Sequence, residues 1–248
     1  MLSSQVIGSR ARRFVIRGLK ARFRDERAEL KTIRRHVTST DIVCDIGANK
    51  GAFTFWLALW CGDGRVIAFD PQAEIADRLA SDCKLLNFSN VTVEPIGVYS
   101  KSGVEQLSVP HGHSPGAAIG SAVTSSVKSV SVPVRVVALD DYFAASEKIS
   151  LLKIDVEGAE LHVLKGAERI LKTSWPLLVF ECENRHLGGG SVDDVISYLM
   201  SLGYRGSFVR RGRLRPISEF DASIHQRTEG EWFWKSRDYC NNFIFSKA

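Results

Sequence analysis

The chain has 248 residues, 44% of them apolar, which suits one globular α/β domain with a full core. Its five cysteines (Cys44, Cys61, Cys83, Cys182, Cys240) are odd in number, widely spaced and without a C-x-x-C pair, so a disulfide framework is excluded and a reduced, cytoplasmic setting is expected. No apolar run approaches the roughly 20 residues of a membrane span, the N-terminus lacks the apolar core of a signal peptide, and the net charge of +5 is unevenly spread.

Residues 1–37 hold eleven Lys/Arg against Asp25, Glu26 and Glu29, whereas the remainder holds 22 Lys/Arg against 25 acids. The basic balance therefore belongs to an N-terminal arm, and residues 38–248 form the presumed catalytic domain. Within the arm Val15, Leu19, Phe23, Leu30, Ile33 and Val37 recur at mostly three- and four-residue steps, which predicts one or two amphipathic helices. A helix capping the domain accounts for this, with peripheral membrane contact or a partner's acidic face as the alternatives. Nucleic acid is not expected, because the arm is sparse in the aromatics that base stacking needs.

The next stretch, Asp41 to Gly51, organises the rest. Ile42, Val43, Cys44 and Ile46 make a short apolar strand, Gly47 and Gly51 punctuate it, and Phe53 to Trp60 follows as a buried helix. Such a glycine turn admits a ligand to the backbone and aims the free N–H groups of the helix start at it. The pattern is D-x-G-x-N-x-G rather than the dinucleotide G-x-G-x-x-G. Asp45 would repel a pyrophosphate and attract an ammonium, which implies S-adenosylmethionine.

Arg65 to Phe69 is a second strand ending in Asp70-Pro71. An acid about twenty positions past the glycine turn is placed to bind ribose hydroxyls, and it also suits a helix start with Pro71 at the first position. A helix from Gln72 to Leu86 and a strand from Val91 to Glu94 follow, and the exit Pro95-Ile96-Gly97-Val98 is expected beside the adenine. Alternation over 103–109 and 130–137 suggests a hairpin-like pair of strands. Between them the Gly/Ser/Ala-rich segment 110–129 reads as a mobile loop or lid.

A capped short helix at Leu139 to Phe143 leads to a fourth strand, Leu151 to Ile154, then Asp155-Val156-Glu157-Gly158-Ala159-Glu160 and a helix through Leu161, Leu164 and Leu171. Trp175 to Phe180 is a fifth strand ending in Glu181-Cys182-Glu183-Asn184-Arg185-His186, followed by a helix over 192–202 and strands around 205–209 and 243–245. Strands alternating with helices predict a Rossmann-like, mainly parallel, doubly wound sheet covered by helices on both faces, with the basic helical arm added. Asp45, Asp70, Glu94, Asp155 and Glu181 all fall at strand carboxyl ends, where such sheets bind ligands.

Together Asp-Ile-Gly-Ala-Asn-Lys-Gly (45–51), Phe-Asp-Pro (69–71), Leu-Asp-Asp (139–141), Leu-Lys-Ile-Asp-Val-Glu-Gly-Ala-Glu (152–160) and Leu-Lys-Gly-Ala (164–167) resemble the FkbM-type methyltransferases, over roughly residues 40–246. The resemblance implies a class I methyltransferase fold and O-methylation of a hydroxyl on a sugar or secondary metabolite. It further implies that Asp45, Gly47, Asn49 and Gly51, with Ala48 between them, hold the methionine part of S-adenosylmethionine and that Asp70 holds the ribose. Pro71, Gly97 and Val98 complete the expected cofactor set, and Asp155 and Glu157 face the methyl group or the acceptor.

Methyl transfer from a sulfonium is an in-line displacement, so positioning dominates, yet an alcohol still needs its proton removed. Candidates for that work are Asp155, Glu157 and Glu181, with the loop histidines His111, His113 and His186 behind them. Alternatively Asp155, Glu181 and Asn184 form an all-oxygen set suited to Mg²⁺. The rivals are a nicotinamide dehydrogenase, which lacks its G-x-G-x-x-G and Tyr-x-x-x-Lys; a nucleic-acid methyltransferase, which lacks Asn/Asp-Pro-Pro-Tyr and Pro-Cys; and a non-catalytic binding module. The acceptor expected is a small molecule or carbohydrate.

Overall fold

The apolar run Ile42–Ile46 is strand β1, the axis of an eight-stranded sheet in the computed structural model, which describes residues 4–110, 117–119 and 129–247. His111, His113 and most of the segment read as a lid lie outside the described residues. Ahead of β1 run α1 (Ser4–Lys20), a π-helical turn (Ala21–Asp25) and α2 (Arg27–His36). After it come α3 (Ala52–Trp60), β2 (Arg65–Phe69), α4 (Ala73–Leu85) and β3 (Val91–Glu94).

Next are β4 (Gly97–Val98), β5 (Gly103–Pro110), β6 (Ala118–Ile119), β7 (Ser129–Val137) and α5 (Leu139–Tyr142), then β8 (Ile149–Ile154), α6 (Glu160–Lys165), α7 (Glu168–Thr173) and β9 (Leu177–Glu181). The chain closes with α8 (Val192–Ser201), β10 (Tyr204–Arg210), β11 (Arg213–Pro216), α9 (Ala222–His225) and β12 (Asn242–Lys247).

The main sheet runs β3-β2-β1-β8-β9-β12-β10-β11, parallel from β3 to β9 and antiparallel beyond. Because β1 pairs with β2 on one side and β8 on the other, the chain reverses its winding at β1 and leaves a crevice above the strand ends there. Fully buried Ile46, Leu152, Ile154, Phe180 and Phe243 belong to one apolar cluster of the core.

The alternating strands β5 and β7 pair antiparallel as expected, but within a separate four-stranded sheet, β4-β7-β5-β6. The helix expected through Leu161 to Leu171 is two helices. Asp140 accepts hydrogen bonds from the backbone N–H of Arg169 and Ile170 at 2.7 and 3.1 Å, which caps a fresh start at α7. Strand β9 begins at Leu177 rather than Trp175, whose φ of +52° is incompatible with strand geometry.

The arm packs on the sheet domain through its own apolar face. Phe14 is completely buried, edge-on to Phe55 with ring centroids 5.6 Å apart, and Leu30 and Ile33 join Val43 and Leu57 in a second cluster. Polar contacts reinforce this: Arg10 pairs with Asp82 at 2.9 Å, Arg17 donates to the Lys50 carbonyl at 2.6 Å, and Trp56 Nε1–H donates to the Gly18 carbonyl at 2.7 Å. Among the described residues no helix is long and apolar enough to cross a membrane.

Candidate active site

β1 ends in a turn that only glycine permits. Gly47 has φ +75°, and a Cβ there would stand 1.8 Å from the Asp155 carbonyl oxygen, so β1 and β8 come together over a bare backbone. The N–H groups of Gly47 and Ala48 both donate to the Phe69 carbonyl at 2.9 Å, stitching the turn to β2. Asn49 follows at φ +47°, and its N–H donates to Asp70 Oδ2 at 2.9 Å. Gly51 lies behind the turn against Leu79 and Phe14, so it shapes the start of α3 rather than the crevice wall.

A cleft open to solvent lies above these strand ends. Gly47, Asn49, Asp70, Pro71, Asp155 and Glu157 all line it, as do Ile96 before β4 and Gly97, Val98 and Ile119 from the smaller sheet. A second cavity shares Gly47, Asn49 and Asp155 as its wall and is completed by Ala48, Lys50, Phe53 and Lys153, together with Arg17, Lys20, Ala21 and Glu26 of the arm. Asp155 thus stands between two spaces.

Asp70 is 4% exposed and uses both oxygens, the second accepting the Gln72 N–H at 2.9 Å. Burial raises its pKa against the pull of these two backbone donors, and each oxygen keeps a lone pair for a further donor. Pro71 precedes α4 rather than occupying its first turn, since the helix begins at Ala73. Asn49 Oδ1 is buried with no hydrogen-bond partner, an orphan that a ligand's donor would satisfy.

Asp45 differs from its expected place. It is fully buried, Oδ2 accepting from Thr54 Oγ1 at 2.5 Å while Lys153 Nζ lies 3.5 Å from Oδ1, so it braces the turn from beneath instead of facing the cleft directly. Lys153 also sits 3.4 Å from both Asp155 Oδ2 and the Gly47 carbonyl, and 5.0 Å from the Phe53 ring centre. Burial alone would lower the Lys153 pKa, but Asp155 and Asp45 hold it well above the usual value, and the cation persists.

The other acids surround this one cation. Burial raises the Asp155 pKa, Lys153 opposes that, and Glu157 adds to it. Glu181 goes well above the ordinary range through burial and the neighbouring Asp155 and Glu183 carboxylates, and it accepts from Asn241 Nδ2 at 2.6 Å. Glu157 has φ +52° and reaches His186 Nδ1 at 2.6 Å; burial alone would lower that imidazole, but the carboxylate raises it. Gly158 makes the approach feasible, because a Cβ there would meet the His186 carbonyl at 2.1 Å.

Each member of the expected Mg²⁺ trio has a protein partner of its own. Asn184 Oδ1 accepts the Val192 N–H at 2.8 Å, Glu181 is held by Asn241 and Asp155 faces Lys153; among the described residues no group of three or more His, Cys, Asp or Glu could hold a metal ion.

Sequence reasoning gave no role to Lys153, although a lysine inside Leu-Leu-Lys-Ile, on a strand buried on both faces, signals a buried partner. It also passed over Glu26, whose carboxyl is pushed up to about 8 by burial and then by Glu29, with Asp155 adding a smaller share. No local pattern separates Glu26 from the arm's solvated charges.

The methyltransferase FkbM domain model matches residues 45–205. The hexuronic acid methyltransferase AglP of Haloferax volcanii is 30% identical over 172 residues, which cover 66% of this chain and 67% of its own. Among solved structures, methyltransferase FkbM from Methylobacillus flagellatus superposes with a TM-score of 0.54 at 17% identity, over 85% of this chain and 44% of that one, so the present chain spans less than half the length of that protein. A Streptococcus mutans protein named as a methyltransferase and solved in complex with SAH gives 0.51 at 12% identity, over 89% and 96% of the two chains. These superpositions speak for the Rossmann-like fold, and the sequence matches speak for descent. Matched by the family model over well more than half its length, the chain belongs to the FkbM family of class I S-adenosylmethionine-dependent methyltransferases.

Proposed function

We propose that this methyltransferase acts on a hydroxyl oxygen of a sugar, a uronic-acid-bearing saccharide being the favoured class, with the cleft between β1, β2 and β8 holding the cofactor. The observation that carries this is Asp155, which lines both the cleft and the second cavity, as a residue serving both methyl donor and acceptor must. The hexuronic acid named for the AglP relative supports the sugar class.

S-adenosylmethionine, when bound, supplies an electrophilic methyl on a sulfonium. Asn49 Oδ1 offers an unused acceptor for the methionine ammonium, and Asp70 offers lone pairs to the ribose hydroxyls. Gly97 and Val98, both buried at the cleft wall, border the adenine. Gly47 and Ala48 hold the turn in place, Asp45 anchors it through Thr54 and Lys153, and Gly51 and Pro71 set its flanks.

Asp155 receives the acceptor's hydroxyl proton. Burial raises its pKa, which favours proton acceptance, while the Lys153 ammonium at 3.4 Å favours the carboxylate form. Glu157 is the supporting group, tied to His186 at the cleft mouth, and Glu181 contributes by crowding Asp155 with a buried carboxyl. Arg17, Lys20 and Lys50, which line the second cavity together with Asp25 and Glu26, suit the acceptor's own carboxylate. Those three cations also favour a second reading, methyl esterification of that carboxylate, which needs no base. The five cysteines, all buried and none in a disulfide, fit a cytoplasmic enzyme.

Asp155→Asn keeps shape and removes the base, so turnover of a uronate saccharide should fall about 10²-fold or more while calorimetric cofactor affinity hardly moves. Near-normal turnover in that variant would remove Asp155 from the chemistry.

A further inference from the structure

Helix α1 has two apolar faces, and only one is used. Phe14 and Gly18 turn towards Phe55 and Trp56. Ile16 and Leu19, on the opposite side, are 38% and 40% exposed, and Phe23, four residues on in the π-helical turn, is 66% exposed at the edge of the Trp56 contact. A surface helix normally spends its solvent face on polar side chains, so three large exposed hydrophobics within eight residues need a partner.

The surroundings say which kind. Arg12 lies one turn before Ile16 in the same sector, Arg13 and Lys20 flank it on one side and Arg22 on the other. The Arg22 guanidinium lies 5.9 Å from the Phe23 ring centre and 5.8 Å from that of Trp60, and Phe23 meets Trp56 edge-on at 6.2 Å. Leu59 of α3 is a further large hydrophobic, 51% exposed. A groove running on from Phe23 is lined by Arg22, Arg27, Lys31, Arg211 and Arg213.

We propose that this face of α1 docks on an anionic lipid bilayer, with Ile16, Leu19, Phe23 and Leu59 entering the headgroup boundary and the surrounding arginines and lysines meeting lipid phosphates. Apolar anchors with interfacial aromatics inside a cationic ring are the composition of a helix lying in the membrane plane. A second copy of the chain would bring the same cations face to face, and a nucleic acid would leave Ile16, Leu19 and Leu59 without a role. Docking also sets the second cavity beside the headgroups, because Arg17, Lys20 and Ala21 of the same helical stretch form its wall.

The test is co-sedimentation of the full chain with vesicles of phosphatidylcholine, with and without phosphatidylglycerol, over a range of salt. The protein should pellet with the anionic vesicles, stay in solution with phosphatidylcholine alone, and be released as salt rises. I16S/L19S/F23S should weaken partitioning at least about tenfold and R12Q about fivefold, with thermal melting and cofactor affinity unchanged in both. Wild-type-like pelleting of the triple variant, or equal behaviour of the wild type with both vesicle types, would overturn the proposal. So would a stripe-dependent dimer in equilibrium sedimentation, or a stripe-dependent shift of RNA in a gel, each of which would assign the face to another partner.

Discussion

Replacing Lys153 with methionine should cost more stability than any other single charge removal in the cleft. Lys153 is 6% exposed, and its ammonium lies 3.5 Å from Asp45, itself without solvent contact, and 3.4 Å from Asp155. Removing one partner of a buried pair costs about 3–5 kcal/mol, because the remaining charge is stranded. Thr54 still donates to Asp45 Oδ2, which places the expected loss near the lower end, about 3 kcal/mol. With a urea slope of about 3 kcal/mol per M for a chain of this size, the midpoint falls by about 1 M, followed by tryptophan fluorescence. Asp45→Asn on top of Lys153→Met removes the stranded charge and should recover about 1–2 kcal/mol. Cofactor affinity should fall as well, since Lys153 Nζ holds the Gly47 carbonyl at 3.4 Å. A Lys153→Met midpoint within the error of wild type would refute the idea that this cation holds the turn and the acids together.

Asp70→Ala removes acceptors for the ribose and two backbone hydrogen bonds, so calorimetry should show cofactor binding weakened by about 1–3 kcal/mol; unchanged affinity would take Asp70 out of the site. The Glu26 carboxyl ionises near 4.5 when unfolded and about 8 when folded, so the native state carries an extra proton between those values and stability declines as pH rises through them. Glu26→Gln should flatten that decline in urea titrations across the same window. For the Glu157–His186 pair the sign is set by histidine, whose folded pKa is raised from 6.5: its stabilisation is complete below 6.5 and lost as pH rises through the folded value. The stability gap between wild type and Glu157→Gln should therefore shrink with rising pH, and a gap that widens would contradict the pairing.

Most of the parallel sheet was legible, because β1, β2, β8 and β9 are apolar runs of strand length separated by helical periodicity and glycine. The far edge was not. β11 reads Arg-Leu-Arg-Pro and is exposed throughout, so no burial pattern marks it, and the two-residue strands β4 and β6 are shorter than any periodicity can register. The cleft residues were readable for a topological reason: acids at the carboxyl ends of β2 and β8 must face the crevice once β1 is identified as the switch point. What that reasoning missed is contributed by distant segments. Glu26 arrives from the arm, and only the packing of α2 over the sheet brings it towards Asp155, whereas His186, already among the candidate histidines, reaches Glu157 through the close approach at Gly158. Asp45 shows the converse, a motif residue whose position was read correctly while its side chain turns inward to Thr54 and Lys153.

The central claim is transfer to a sugar hydroxyl, and the most direct measurement is the alkali stability of the product. The enzyme is incubated with methyl-labelled S-adenosylmethionine and a glucuronic-acid-bearing oligosaccharide, and the labelled saccharide is then treated with mild base. A methyl ether keeps its label, which is the predicted result, and Asp155→Asn should abolish most of the labelling. Release of the label as methanol would mean a methyl ester, and would contradict the hydroxyl assignment in favour of the acceptor's carboxylate.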